Sequence, residues 1–504
     1  MKLKAISLAI SATLAASAAQ AVDFGARQEQ QIKAQSLSLF GLLGTLGNSS
    51  STSLTQAQAQ ANPANLITVA PGLSVNIVSA AANLGPNIDM MVLYPNNVAP
   101  THIIACNEQG ASQVGVQRIR LSDGLIEDII SSGLTSCDPA EITPWGTVVI
   151  GEEAGTNGRM FEILDPLTTT GVTVTGSGAN TTTSDNTKVR FLPALGQLSF
   201  EGISILPNGV ALYQDENRPG NGVVGGGYFK FIPSNLFPAN GAPISNLDAS
   251  PLASGRVFGF RAGKRNNSDF GPGNNLGRGN WVEVTDGLFG APTTTPGVSR
   301  NNLRAAAATL SLTTGYRPED QDIDPKALAA GNVRVCGTNT GDDTPPTQNA
   351  GDNNFGTAFC LKDGTLAESA VINTTNQTIA GVTYAINNGA GAAIPEYQTL
   401  VENFFDFGMP DNVAYQPGRG NWVINEDGEG PTYSAPRNND IWDCLDDGTD
   451  RDQLADACVK VATLNDLTAE TTGGVFNAAG NEYYVSIQHN ITGHGVIVKI
   501  TGWR

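Results

Sequence analysis

The chain has 504 residues, with 47 Asp and Glu against 28 Lys and Arg and a formal net charge of −19. That balance repels the phosphate backbone of nucleic acids and the anionic faces of membranes, which excludes nucleic-acid binding as the principal task. Only 15% of residues are charged while Gly numbers 58 and Pro 27, a composition that argues against long charged helices and for short elements joined by many turns.

The first elements in chain order concern export. Met1-Lys-Leu-Lys4 is a basic start, Ala5 to Ala18 is a short, weakly apolar run, and Ala19-Gln-Ala21 is a small-x-small cleavage site, so residues 1–21 read as a secretory signal peptide. Twin arginines are absent from this start, which favours the general secretion route and a periplasmic or released product. No later segment has the length and apolarity of a membrane span. Residues 22–64 divide into an amphipathic helix over 28–43 and a stretch from 47 to 64 rich in Ser, Thr, Gln and Ala, with the character of a linker.

From residue 65 onward the pattern changes to short strands bounded by Gly, Pro, Asn or Asp. Strands are expected over 114–121, 146–152, 159–164, 209–214, 227–232, 256–261, 332–336, 412–415, 421–425, 483–488 and 495–500. Two stretches, 202–213 and 475–486, share a strand, a Pro/Asn/Gly turn and a second strand, the unit from which propeller blades are built. Loops 343–354 and 426–438 read as insertions, since no second core of different character follows them. The expectation is an all-β chain, a single β-propeller over 65–504, six-bladed and monomeric.

Six cysteines enter an oxidising compartment. Cys336 with Cys360 and Cys444 with Cys458 are close enough in sequence to form local disulfides, and Cys106 and Cys137 are left over, with the oxidising compartment by itself favouring their pairing with each other. Near Cys137 the strand 146–152 runs into Glu152-Glu153. Neighbouring strand residues face opposite ways, so one of these acids points inward and the other outward. Further acids stand at strand ends or turns, Glu108, Glu201, Glu319, Asp411 and Glu470, and His489 is a further candidate. A propeller brings the inner ends of all its blades to one axis, where such acids can converge and bind divalent cations. Arg317-Pro-Glu319 places a cation and an acid on either side of a proline, whose ring stiffens the frame and drives the preceding residue toward extended geometry.

The ordered series Cys106-Asn-Glu108, Cys137 followed by Thr143-Pro-Trp-Gly-Thr147 and Glu152-Glu153, Gly158-Arg-Met-Phe-Glu162, Arg317-Pro-Glu319, Pro410-Asp-Asn412 and Ile487-Gln-His489 resembles the PhoX family of secreted bacterial alkaline phosphatases. The resemblance implies a propeller whose axial site holds Fe3+ and Ca2+ and hydrolyses phosphomonoesters. It further implies that Cys137 is an iron thiolate ligand, Glu201 and Glu319 are iron-binding carboxylates, Asn107, Glu153 and Asp411 form the calcium side, and Arg317 contacts the phosphate. Two alternatives from other classes stand beside it: a calcium-stabilised propeller that binds a partner without turnover, and another calcium propeller hydrolase such as a lactonase or phosphodiesterase.

Overall fold

A computed structural model describes residues 30–504 apart from 220–222, 264–276, 286, 294, 342–354, 380, 403–406, 429–436 and 448–453. The signal peptide, the insertion at 343–354 and most of the loop 426–438 therefore lie outside the described residues. All eleven strands anticipated above coincide with observed strands, and the two matching hairpins fall on Phe200–Ile205 with Ala211–Asp215 and on Glu470–Phe476 with Glu482–Gln488.

Six strands form the inner wall: Ile88–Tyr94, Cys137–Ile142, Phe200–Ile205, Pro318–Ile323, Pro410–Gln416 and Glu470–Phe476. Each lies against the next and the sixth lies against the first, so they close a ring of six around the axis. Outward from each inner strand run antiparallel neighbours, for example Ala211–Asp215, Gly226–Pro233 and Gly255–Ala262 in the third blade. Six apolar clusters fill the six spaces between adjacent blades. Phe200, Tyr213 and Phe229 pack on Trp145 and Val149 between the second and third, and Val413 and Trp422 pack on Cys336 and Ala358 between the fourth and fifth. The alternation of the strands feeds these clusters, since both faces of every blade are covered.

The ring is closed by the amino-terminal strand Ser74–Ser79, which pairs antiparallel with Val496–Thr501 at the carboxyl terminus and becomes the outer strand of the sixth blade. Disulfides Cys336–Cys360 and Cys444–Cys458 each join neighbouring strands within one blade.

Two expectations for the amino-terminal segment change. Helical turns occupy 30–34 and Ser36–Phe40 in place of one helix over 28–43. The stretch 47–64 is a strap packed on the fifth and sixth blades, not a free linker. Phe40, Leu42, Ala59 and Leu66 are buried in the cluster between those blades. Ser49 Oγ donates to Asp440 at 2.6 Å, the Asn438 amide donates to the Ser50 carbonyl at 2.8 Å, and Gln56–Ala61 is a helix closed by a Thr55/Gln58 capping box. Composition misleads here because small polar side chains also suit a segment whose backbone is hydrogen-bonded to a neighbour.

Candidate active site

One end of the axis opens into a cavity of about 530 Å3 lined by carboxylates from every blade. Two positions recur around it. The first lies at the start of the inner strand: Asp89, Asp138, Glu201, Glu319, Asp411 and Glu470. The second is the residue that follows the next strand: Glu108, Glu153, Glu216, Asp427 and His489, with Thr340 in the corresponding place of the fourth blade.

The backbone explains why acids at the first position reach the axis. In five blades the pairing between the inner strand and its neighbour slips directly after the strand's first residue, between Ile88 and Met91, Cys137 and Ala140, Phe200 and Ile203, Pro318 and Gln321, and Pro410 and Val413. Bulges of this kind bend a strand and re-aim its side chains. In each case the acid sits within the irregularity. The sixth blade slips later, between Thr472 and Val475, and there the paired residue Glu470 lines the cavity.

In the second to fifth blades the second position is fixed by the residue before it, which is buried and bonded away from the axis. Glu152 receives Nε and Nη2 of Arg159, both at 2.6 Å, and Asp215 receives Nε and Nη2 of Arg304 at 2.9 and 2.7 Å. Glu426 is held by Arg437 at 2.6 Å and by the Trp442 indole at 2.9 Å, and Asn339 by the Tyr228 hydroxyl at 2.6 Å. Glu153 is thereby the inward member of the Glu152-Glu153 pair, and Glu152 is spent on Arg159.

The same alternation corrects two expected ligands. Cys137 precedes Asp138 and turns away from the axis into the apolar cluster between the first two blades, where it forms a disulfide with Cys106. It has no thiolate to offer iron. Asn107 precedes Glu108 and is likewise outside the cavity wall; its Oδ1 accepts from the Asn87 amide at 3.2 Å and its Nδ2 donates to the Val114 carbonyl at 2.6 Å. Glu153, Glu201, Glu319, Asp411 and Arg317 do line the cavity. Asp89, Asp138, Glu216 and Asp427 join them without having been singled out.

Arg317 stands among these acids. Its Nε donates to Glu216 Oε1 at 2.7 Å, while Nη2 lies 3.3 Å from Glu319 Oε1 and 3.5 Å from Asp427 Oδ2. Its φ of +54° is left-handed, not the extended geometry expected before a proline, so the cation meets Glu319 instead of being held apart from it. A non-glycine residue in this region costs about 1–3 kcal/mol and is retained where the surroundings demand it. Glu319 is also bound by the Thr340 hydroxyl at 2.8 Å. Elsewhere on the ring Gln488 Nε2 donates to Glu108 at 2.7 Å, the Thr472 hydroxyl donates to Asp89, and His489 Nε2 lies 3.3 Å from Glu470.

Burial and mutual repulsion dominate the electrostatics. Loss of water raises Glu108 to about 8, with the nearby Asp89 adding to it, and raises Glu153 to about 10, with Glu216 and Glu108 adding. Glu319 is also raised by burial, to about 8, although Arg317 pulls it down. Asp138, Glu201, Asp411 and Glu470 are pushed well above the carboxylate range by burial and by one another. So many carboxyl groups at one axis must share protons or cations. Their chemistry, carboxyl oxygens on one ring that can exchange protons for cations, fits hard cations such as calcium. Among the described residues no three of them are drawn into a finished ligand cage; they surround an open space.

Comparison with known proteins decides the kinship. The family described as Alkaline phosphatase PhoX matches residues 137–490, well over half of the chain. The chain belongs to the PhoX family. Among solved structures it is similar to PhoX from Pseudomonas fluorescens in complex with vanadate, a transition state analogue, at 15% identity and TM-score 0.58 over 91% of this chain and 98% of that one. A putative glucose dehydrogenase from Thermus thermophilus gives 11% identity and TM-score 0.43 over 85% of this chain and 100% of that chain. A gluconolactonase from Xanthomonas campestris gives 9% and 0.37 over 91% and 96%. No curated protein matches. The PhoX likeness supports the propeller fold, and the family match supports a phosphatase.

Proposed function

We propose that this PhoX chain is a cation-dependent phosphomonoesterase acting at the acidic end of its axis. The observation that carries the reading is the partly buried Arg317 guanidinium, ion-paired within a ring of carboxylates from all six blades. An anionic phosphoryl group does not enter such a ring unless its charge is first offset. Glu153, Glu201, Glu319 and Asp411, with Asp89, Asp138 and Glu470, are the residues that would hold the offsetting cations, calcium foremost. When bound, these cations supply neutralisation of the phosphoryl oxygens. Iron as a second metal would rest on carboxylates alone.

Arg317 presents a planar fork to two phosphoryl oxygens, and Glu216, Glu319 and Asp427 set its plane before substrate arrives. Preorganised positive charge of this kind is the main protein contribution to phosphoryl transfer. A propeller that only bound a partner would have no use for such a clamp. Export belongs to the same proposal: an amino terminus of secretory character and three disulfides suit an oxidising compartment.

The test is turnover of a simple aryl phosphate by the full mature chain before and after chelation. Calcium removal should abolish hydrolysis and calcium re-addition should restore it, with magnesium a poor substitute because it demands smaller, near-octahedral sites. Undiminished hydrolysis in excess chelator would reject the proposal.

A further inference from the structure

Among the described residues, the mouth of the acidic cavity carries one exposed large aliphatic side chain, Leu467, on the connection from Cys458–Leu464 to the sixth inner strand. Its setting is built, not loose. Asp466, fully buried, accepts the Thr468 amide at 3.0 Å and the Thr468 hydroxyl at 2.8 Å on Oδ1, and the Ile491 amide at 2.6 Å on Oδ2. The Ala469 amide donates back to the Asp466 carbonyl at 3.2 Å, and Asn439 Nδ2 donates to the Ala469 carbonyl at 3.1 Å. A buried carboxylate and an asparagine thus lock a short turn whose outermost side chain, 39% exposed, is apolar and borders the cavity. The part of Leu467 that the fold leaves exposed borders the cavity, and an apolar group that enters the mouth would cover it.

We propose that Leu467 is a specificity-determining residue that contacts the alcohol part of the substrate and favours phosphate monoesters of phenols and other apolar alcohols over those of polyols. The inference rests on the phosphatase reading above and narrows its substrate class. With the phosphoryl group directed to Arg317 inside the cavity, the ester oxygen points outward and the leaving alcohol meets the rim. Among the described residues that line the cavity Leu467 is the one large aliphatic side chain, and its exposed neighbour Thr468 is polar.

The experiment compares calcium-loaded wild type, Leu467→Ser and Leu467→Ala on phenyl phosphate and on glycerol phosphate, with inhibition by inorganic phosphate measured on each. Both variants should lose ~5-fold in kcat/KM on phenyl phosphate, through KM, because a partly exposed leucine contributes only part of its apolar surface. Glycerol phosphate turnover and the inhibition constant of inorganic phosphate should stay unchanged. Equal losses on the two esters, or no loss on either, would overturn the role of Leu467 while leaving the phosphatase reading standing. Wild type that hydrolyses neither ester would overturn both.

Discussion

At the scale of single residues, the direction of one side chain separates a ligand from a strut. Glu153 was legible in the sequence as half of a pair, and Glu201, Glu319 and Asp411 as acids at strand ends or turns. Asn107 and Cys137 were each one residue out of place, and their neighbours Glu108 and Asp138 are the ones that line the cavity. A parity of two cannot be read across a bulge, because the slip resets which residue faces inward. Arg317 carries the sharpest prediction at this scale. Arg317→Lys should keep its charge and cation content but lose ~10- to 100-fold in kcat/KM on an aryl phosphate, since an ammonium cannot reproduce the fork. Glu319→Gln should lose bound calcium and turnover together. Kinetics with metal analysis of each variant checks both, and full turnover by Arg317→Lys would remove the clamp.

At the scale of elements, the second strand of a blade works as a lever whose buried end aims the residue after it. Its clearest instance is Arg159 on Glu152, a bidentate pair with almost no solvent contact. Arg159→Leu would strand a buried carboxylate, a loss of about 3–5 kcal/mol. The denaturation midpoint should fall accordingly, and calcium affinity should fall with it because Glu153 is no longer held in place. Glu152→Gln combined with Arg159→Met should recover much of the stability, as a matched pair leaves no orphaned charge. Denaturant titrations of the three proteins, with calcium binding measured on each, decide this. The strands themselves were legible from their apolar cores and turn residues. Asp89, Asp138, Glu216 and Asp427 were not, because a lone acid near a turn looks like a solvated surface group. The signal lay in their recurrence: Asp138 with Glu153, Glu201 with Glu216 and Asp411 with Asp427 repeat the same pairing of inner-strand acid and strand-end acid.

At the scale of the whole molecule, the axis concentrates charge that the fold alone does not offset. Glu108 and Glu319 near 8 and Glu153 near 10 retain protons in the folded, cation-free protein that they would lose from an ordinary value of 4.5 when unfolded. Between those values the folded state binds more protons, so stability is fully present below about pH 4.5 and is withdrawn as pH rises through the folded values. Melting of chelator-treated protein should therefore shift downward from pH 5 to pH 8 for the first two groups, and onward toward pH 10 for Glu153. Saturating calcium should flatten that slope, and its binding should release protons that a weakly buffered titration can count. A melting temperature of the chelated protein that rises over this window would contradict the account.

The pairing of Ser74–Ser79 with Val496–Thr501 has a consequence in time. A growing chain makes the first of these strands long before the second, so an exposed edge must wait while the blades between them are synthesised. Until it arrives the circle is open and the sixth set of acids has no fixed place opposite the others. A chain that stops short of Val496 leaves that edge unpaired and the acids of the sixth blade without this support. Making Val496–Thr501 and closing the ring of acids become the same event.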